Sequence, residues 1–495
     1  MSRTFNFIAC DCGNSTVRIM LCTYNDGSIK VKQISSEPNI MISIGDYFYW
    51  DIMRVFDLLK IGIRKALKQV DKIDSIGVCT WGVDFALFDN DGFMLGNPLS
   101  YRNSIGEAEL NAIPYDKQAE LFFDTGISCD KINSLYMIKG MQKKMPGLVD
   151  AGKKLLMVPD ILNYFFTGVM ENEPSEMSTS QLFDTVKMEI SEKICTEMNI
   201  PVEWFSKIGK HGTLIANLRP QLVKEFGIDY DIPVVCVPSH DTACAVLGTP
   251  AEEEEFAFIS SGTWNLIGAE CLESVITQEV LDEGFTNEVG AFERITLLKN
   301  SIGMFIHQRL KPEYEEYCEH SVTWEQLNSL ALNYTGKPVL FDVNSTAFFN
   351  PPCMSIAIWE YLKHTGQVSG NIDWGIIMSS FLISMAASYA QGIAQIERST
   401  ERSYEKIYLV GGGSKITEIT QRAANITGKT FYTCDMECSS MGNALAQLKY
   451  ALPETTQKQL KEIAVRSLRR DCFTPICDES DILLRYNALC SETLG

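Results

Sequence analysis

Basic residues are in the minority in this chain. Lysine and arginine number 43 against 63 acidic residues, a formal charge of −20 over 495 residues. No Lys/Arg cluster reverses that field, so nucleic acid and anionic membrane surfaces are disfavoured partners. A small anion stays possible, because backbone N–H groups and a metal can hold phosphate. No CxxC pair occurs. Cys434/Cys438 and Cys472/Cys477 have no nearby histidine to complete a zinc set. Met1 to Asn6 is polar and no apolar signal region follows. The sixteen cysteines therefore read as reduced, small core residues of a cytoplasmic protein, not as a disulfide framework. A GxxxxGK[ST] phosphate loop is absent, and a GxGxxG fingerprint fails at Ile416. Trp374 to Ile396 carries no charge, but its serines, glutamines and glycines are too polar for a comfortable membrane span. It reads as a buried or interdomain helix.

What is present is ordinary globular composition: 45% hydrophobic, 21% charged and 10% aromatic. The length suggests two or three domains and a core large enough to need no staples. Strands are expected at Phe5–Cys10, Val17–Cys22 and Ile29–Ile34, joined by the turns Asp11–Thr16 and Asn25–Gly27. Asp51 should cap a helix whose apolar face is Ile52, Phe56, Leu59, Ile63, Leu67 and Val70. Strands follow at Ser75–Cys79 and Phe85–Phe88. The region from about Ile105 to Glu225 reads as mostly helical, broken by Pro146, Pro159, Pro174 and Pro201. Pro233–Val237 is another short strand. The acidic run Glu252–Glu255 marks a boundary. Phe256–Ile259 then echoes Phe5–Ile8, and each leads into a glycine-hydroxyl turn, a faint sign of duplication. Ile407–Val410 reads as a strand, Gly411–Gly413 as a tight turn, and Ile416–Ile426 as a helix closed by Gly428.

Several of these turns hold chemistry. In Asp11–Arg18 a carboxylate at a strand end adjoins a glycine and two hydroxyls. Glycine admits a phosphate to the backbone, hydroxyls donate to it, and a carboxylate can hold hydrated magnesium. Ser260–Thr263 has the same inventory without the acid. Gly411–Ser414 could seat a flat ring or a phosphate on backbone. Asp241, at the end of an apolar strand, could accept a proton from a sugar hydroxyl, or cap the next helix. Trp81-Gly82-Val83-Asp84-Phe85 could floor a carbohydrate site, with Asp84 accepting hydroxyl hydrogen bonds and Trp81 packing on a C–H face.

In this order the elements resemble the duplicated actin/hexokinase-like (ribonuclease H-like) α/β architecture. More narrowly the chain resembles the FGGY carbohydrate kinase family along nearly its whole length. Thr80-Trp-Gly-Val-Asp-Phe85 and Ser239-His-Asp-Thr-Ala243 are similar to the rhamnulokinase branch, as are Pro98–Arg102, Ser260–Glu270 and Leu298–Gly303. The resemblance implies two domains, 1–248 on the sugar side with helical insertions and 249–495 on the nucleotide side, with a cleft between them. It implies ATP and Mg2+ as cofactors, and transfer to O1 of L-rhamnulose to give L-rhamnulose 1-phosphate. Another FGGY kinase acting on L-fuculose, L-ribulose or xylulose is the alternative, and an ATP-binding sensor without transfer is a more distant one. Asp241 would be the general base. His240, Thr242, Gly82, Asp84 and Asn300 would line the sugar. Asn14, Ser15, Thr16, Val17, Arg18 and Thr263 would hold phosphates, with Gln308 and Gly412 completing the nucleotide site. Asp11 would organise the metal. The implied partners are only the sugar and ATP, in a monomer or small homo-oligomer. The chain departs from the branch at Asn103, where aspartate is usual, at Val17, where glycine is common, and at Ile416, where asparagine is frequent. A cysteine pair seen in some relatives is replaced by Ala423 and Thr427.

Overall fold

The computed structural model describes residues 4–434 and 437–493. Packing divides the chain into two compact units. The first runs to Glu255 and adds Glu270–Leu297 and Glu437–Arg469. The second holds Phe256–Ala269, the stretch from Leu298 up to the Glu437 segment, and the chain from Arg470 on. A cut at 248/249 follows chain order, whereas these units follow contact: two later segments have their packing partners in the first unit.

The first unit is built on six strands: β1 (Phe5–Cys12), β2 (Thr16–Asn25), β3 (Ser28–Pro38), β4 (Ser75–Thr80), β5 (Thr213–Asn217) and β6 (Pro233–Cys236). Their order is β5-β6-β4-β1-β2-β3. β1 runs antiparallel to β2 and parallel to β4, and β6 is parallel to β4. β4 is buried along its whole length, as a central strand covered on both faces should be. Helix Ile52–Leu67 packs Ile52, Val55, Leu59, Ile63 and Ala66 inward, and the Asp51 carboxylate accepts from Arg54 N–H as its cap. Phe56 and Leu67, expected on the same face, are only partly buried.

In the region from 105 to 225, strands interleave with the expected helices. Lys154–Met157 pairs with Phe85–Phe88. Pro146, Pro159 and Pro174 do not break helices. Each sits in the first turn of one, where its missing N–H costs nothing.

The second unit repeats the plan. β7 (Phe256–Ser261), β8 (Trp264–Cys271), β9 (Ile295–Ile302), β10 (Lys406–Val410), β11 (Thr430–Cys434) and β12 (Arg470–Phe473) follow the order β9-β8-β7-β10-β11-β12. β7 is parallel to β10, and β10 to β11. Each unit thus opens on two strands joined by a glycine-hydroxyl turn, the first parallel to a later strand. Helix Trp374–Thr400 is long and apolar enough to cross a membrane by length and composition, yet 83% of its most apolar window is buried inside the protein. None of the sixteen cysteines is in a disulfide.

One contact in the first unit is unusually close. Helix Asp241–Gly248 crosses helix Cys438–Ala451 through Gly248 and Gly442. A Cβ on Gly248 would fall inside the Cys438 carbonyl, and one on Gly442 inside the Cys244 carbonyl. Gly442→Ala should therefore force the helices apart and cost about 1–3 kcal/mol, read as a lower urea midpoint. An unchanged midpoint would contradict this crossing.

Candidate active site

In the first unit, three strand ends lie side by side. Cys12 of β1 is in register with Thr80 of β4, and Thr80 bridges to His240, just past β6. The carboxyl ends of parallel strands are where open α/β sheets bind ligands. The turn after β1 closes through Gly13 N–H donating to Thr16 C=O, at 2.9 Å. Asn14 Oδ1 is buried there without a hydrogen-bond partner. Ser15 is exposed. Val17 departs from the expectation for its side chain: it is buried in the core, paired with Cys12, so only its backbone can serve a phosphate. Asp11 and Arg18 are direct cross-strand partners. The guanidinium donates to Asp11 Oδ2 at 2.6 Å, and the same oxygen accepts from Ser439 and Ser440 at 2.6 and 3.1 Å. The two serines, which begin helix Cys438–Ala451, were not foreseen.

Asp241 occupies the first position of its helix, with His240 at the cap position. Its carboxylate faces the helix N-terminus, which favours the charged form. Burial acts the other way and raises its pKa, partly offset by His240. About a third of the side chain, 34%, still reaches solvent. His240 Nε2 lies 3.6 Å from Asp241 Oδ1, and Nδ1 lies 3.0 Å from Glu288 Oε2. Burial pulls the imidazole pKa down most strongly, but Glu288, Asp241 and Glu173 together outweigh it and lift the value to about 9. Thr242 Oγ1 donates to Asp241 Oδ1 at 3.4 Å. Gly82 sits against this pair: a Cβ there would come within 3.3 Å of His240 Nε2 and 3.0 Å of Thr179 Cγ2. The His240 N–H donates to Ser175 Oγ at 3.0 Å, and Ser175 Oγ donates to Glu173 at 2.6 Å. Glu173 is in turn paired with His211.

The other parts of the expected sugar floor are core. Asp84 is sealed from solvent, and its Oδ2 accepts from the Trp50 and Trp81 indoles at 2.6 and 2.9 Å. Burial lifts its pKa to about 7 against the pull of those donors. That oxygen is spent on the indoles instead of on hydroxyls from outside. Trp81 is buried against Trp50, with ring centroids 4.4 Å apart, so it presents no face to a ligand. Asn103 has a local cause: its amide nitrogen donates to the Phe48 and Ser100 carbonyls, and its oxygen accepts from Phe48 N–H. An aspartate could not make both donations.

In the second unit, Ser260 of β7 is in register with Val410 of β10. Gly411 has φ of +87°, and its Cβ would meet Ser261 O at 2.7 Å. A Cβ on Gly413 would collide with Ser261 Oγ, whereas one on Gly412 would meet nothing within 4 Å. Gly411 and Gly413 thus let the turn lie on Ser261, and Gly412 faces open space. Gln308 Nε2 donates to Thr263 Oγ1 at 3.4 Å, both residues exposed. Asn300 is exposed on β9, next to Ser301 and Ile302, which both donate to Asn344 Oδ1. Ile416 is buried.

Residues 6–248 match the N-terminal domain model of the FGGY family of carbohydrate kinases, and residues 257–451 match its C-terminal domain model. The chain belongs to this FGGY family. Within it, the chain is 32% identical to a rhamnulokinase of Oceanobacillus iheyensis over 94% of this chain and 97% of the relative. It is 31% identical to a rhamnulokinase of Bacteroides thetaiotaomicron, over 95% and 96%. It is a carbohydrate kinase of the rhamnulokinase type. The fold also matches a ligand-bound xylulose kinase from Lactobacillus acidophilus, with TM-score 0.81 and 12% identity over 98% and 97% of the chains. Plasmodium falciparum glycerol kinase with ADP matches with TM-score 0.80 and 14% identity over 99% of each chain.

The two neighbouring glycines of this turn predict a contrast. Gly412→Ala should fold with the wild-type melting temperature, since its Cβ meets nothing within 4 Å. Gly413→Ala should lose about 1–3 kcal/mol of stability. Equal effects would contradict the placement of Gly412 toward open space.

Proposed function

We propose that this FGGY kinase transfers the γ-phosphoryl group of ATP to O1 of L-rhamnulose, with Asp241 as the general base. The observation that carries the reading is the placement of Asp241: a partly solvent-accessible carboxylate at a helix N-terminus, beside His240 and the side-chain-free surface of Gly82. The rhamnulokinase relatives support the choice of sugar.

The sugar O1–H donates to Asp241. As O1 attacks the γ-phosphorus, its proton passes to the carboxylate, the bond from phosphorus to the bridging oxygen breaks, and ADP leaves. Little covalent chemistry is asked of the protein, so alignment and charge placement dominate. Within the first unit, His240 and Thr242 hold Asp241, Gly82 faces the sugar, and Asn14, Ser15, Thr16, Arg18 and the Val17 backbone offer phosphate donors. Within the second unit, Thr263, Gln308 and Gly412 are the candidate nucleotide contacts and Asn300 a candidate sugar contact.

Among the described residues no group of three or more His, Cys, Asp and Glu side chains is placed to enclose a metal. Asp11 offers one carboxylate, whose Oδ2 already carries Arg18, Ser439 and Ser440. A single carboxylate suits Mg2+, which keeps most of its water and takes one or two carboxylates plus phosphates. Asp11 would hold its hydration shell, and the ion would neutralise phosphate charge.

Asp241→Asn should lower kcat by about two to four orders of magnitude, the loss expected for a general base, without unfolding the protein. In the wild type, kcat/KM should fall as pH drops through the raised Asp241 pKa, because the base must be ionised. Coupled ADP release measured across L-rhamnulose, L-fuculose, L-ribulose, xylulose and glycerol should be highest with L-rhamnulose. Full activity in Asp241→Asn would overturn the base, and a preference for another acceptor would overturn the substrate.

A further inference from the structure

Glu288 lies outside every motif considered above. It is on strand Thr286–Val289, where burial alternates, so that Asn287 and Val289 point inward and Glu288 points to the other face. Its neighbours are tied down on both sides. Asn287 Oδ1 accepts from Val275 N–H, and its Nδ2 donates to the Gly126 and Val275 carbonyls. Val289 N–H donates to Ser178 Oγ at 2.9 Å. The strand therefore cannot shift to move the carboxylate. Its Oε2 lies 3.0 Å from His240 Nδ1. This is an ion-pair contact, not an aligned hydrogen bond: both atoms are buried, and neither has a hydrogen-bond partner. The far nitrogen of the ring, Nε2, is the one nearest Asp241.

We propose that Glu288 is a positioning residue: it pins the His240 ring against Asp241 and holds a positive charge there, so that Asp241 stays ionised in its enclosed setting. This rests on the reading of Asp241 as the base. The other charged groups facing the imidazole agree in sign. They are Asp241 on its own helix and Glu173, the cap of helix Pro174–Ser178; Glu176 of that helix acts on Asp241 and Glu288. Glu173 already has His211 as a partner. Glu176 is fully buried, with its pKa raised well above the usual carboxylate range by burial and by Glu173, so it supplies little charge. That leaves Glu288 as the nearest carboxylate not spent elsewhere. Fixing a catalytic group through a second residue on rigid backbone is the usual means of holding such geometry. Without the His240 charge, burial and the Asp11 charge would move the Asp241 pKa further up, with only the Thr242 hydrogen bonds against them.

The test uses the full chain, free of ligands, with ring-labelled histidine followed by NMR. There are five histidines, and His240→Asn identifies the signal. In the wild type, the His240 ring should stay protonated until near pH 9. In Glu288→Gln its midpoint should drop by at least one pH unit, and Glu288→Asp should restore most of it. A wild-type midpoint near 6.5, or no change in Glu288→Gln, overturns the proposal whatever the protein phosphorylates. Kinetics supply the second readout. In Glu288→Gln ketose kcat/KM should fall several-fold at pH values between the lowered ring midpoint and the wild-type one and recover below it, with KM for ATP within twofold of wild type. A uniform loss at every pH would mean that Glu288 merely supports the fold, and would also overturn it. Absence of ketose-dependent ADP release in the wild type would instead defeat the kinase reading, and the histidine titration would still decide the pairing.

Discussion

Two glycines, Gly248 and Gly442, let a pair of helices touch backbone to backbone, and the chemistry of the first unit depends on that touch. The helix Asp241–Gly248 carries the proposed base at its first residue. The helix Cys438–Ala451 brings Ser439 and Ser440 onto Asp11 at its own start. Locking one against the other fixes two carboxylates from distant parts of the chain relative to the same sheet edge. A methyl group at the crossing would displace both, since each carbonyl concerned belongs to the opposite helix.

That sheet edge is crowded with acids in a chain that is acidic throughout. The charges coexist because most have a dedicated counterpart. Asp11 has Arg18, Glu173 has His211, and Asp241 and Glu288 flank His240. Asp84 meets the same problem with two indole donors instead of a cation. A carboxylate held near an imidazolium and a helix N-terminus is charged yet not bound so tightly that it cannot take a proton. These properties suit a base that works once per turnover.

The fold was legible where local chemistry is strong. The Phe5–Ile34 meander, the Asp51 cap and the Gly411–Gly413 turn all follow from propensity and spacing, and the strand ends that gather Asp11, Gly82 and His240 follow from a parallel sheet. What the sequence hid depends on contacts distant along the chain. Ser439 and Ser440 lie more than four hundred residues from Asp11, and Glu288 carries no motif. Gly442 inside a helix was a usable signal, since an interior glycine usually marks a close approach. Asp84 and Trp81 misled because a strand-end turn looks the same in sequence whether its side chains face solvent or core, and here the Trp50 indole closes it. The prolines of 146–174 misled because proline ends a helix or begins one depending on a single position.

The central claim is that this kinase places the γ-phosphoryl group on the O1 oxygen of the sugar. It is tested most directly by 31P NMR of the wild-type protein with MgATP and L-rhamnulose, followed over time. The account predicts that the γ-phosphate signal is replaced by a monoester signal split into a triplet by the two C1 protons. Appearance of inorganic phosphate alone, or of a monoester on a CH carbon, would contradict it.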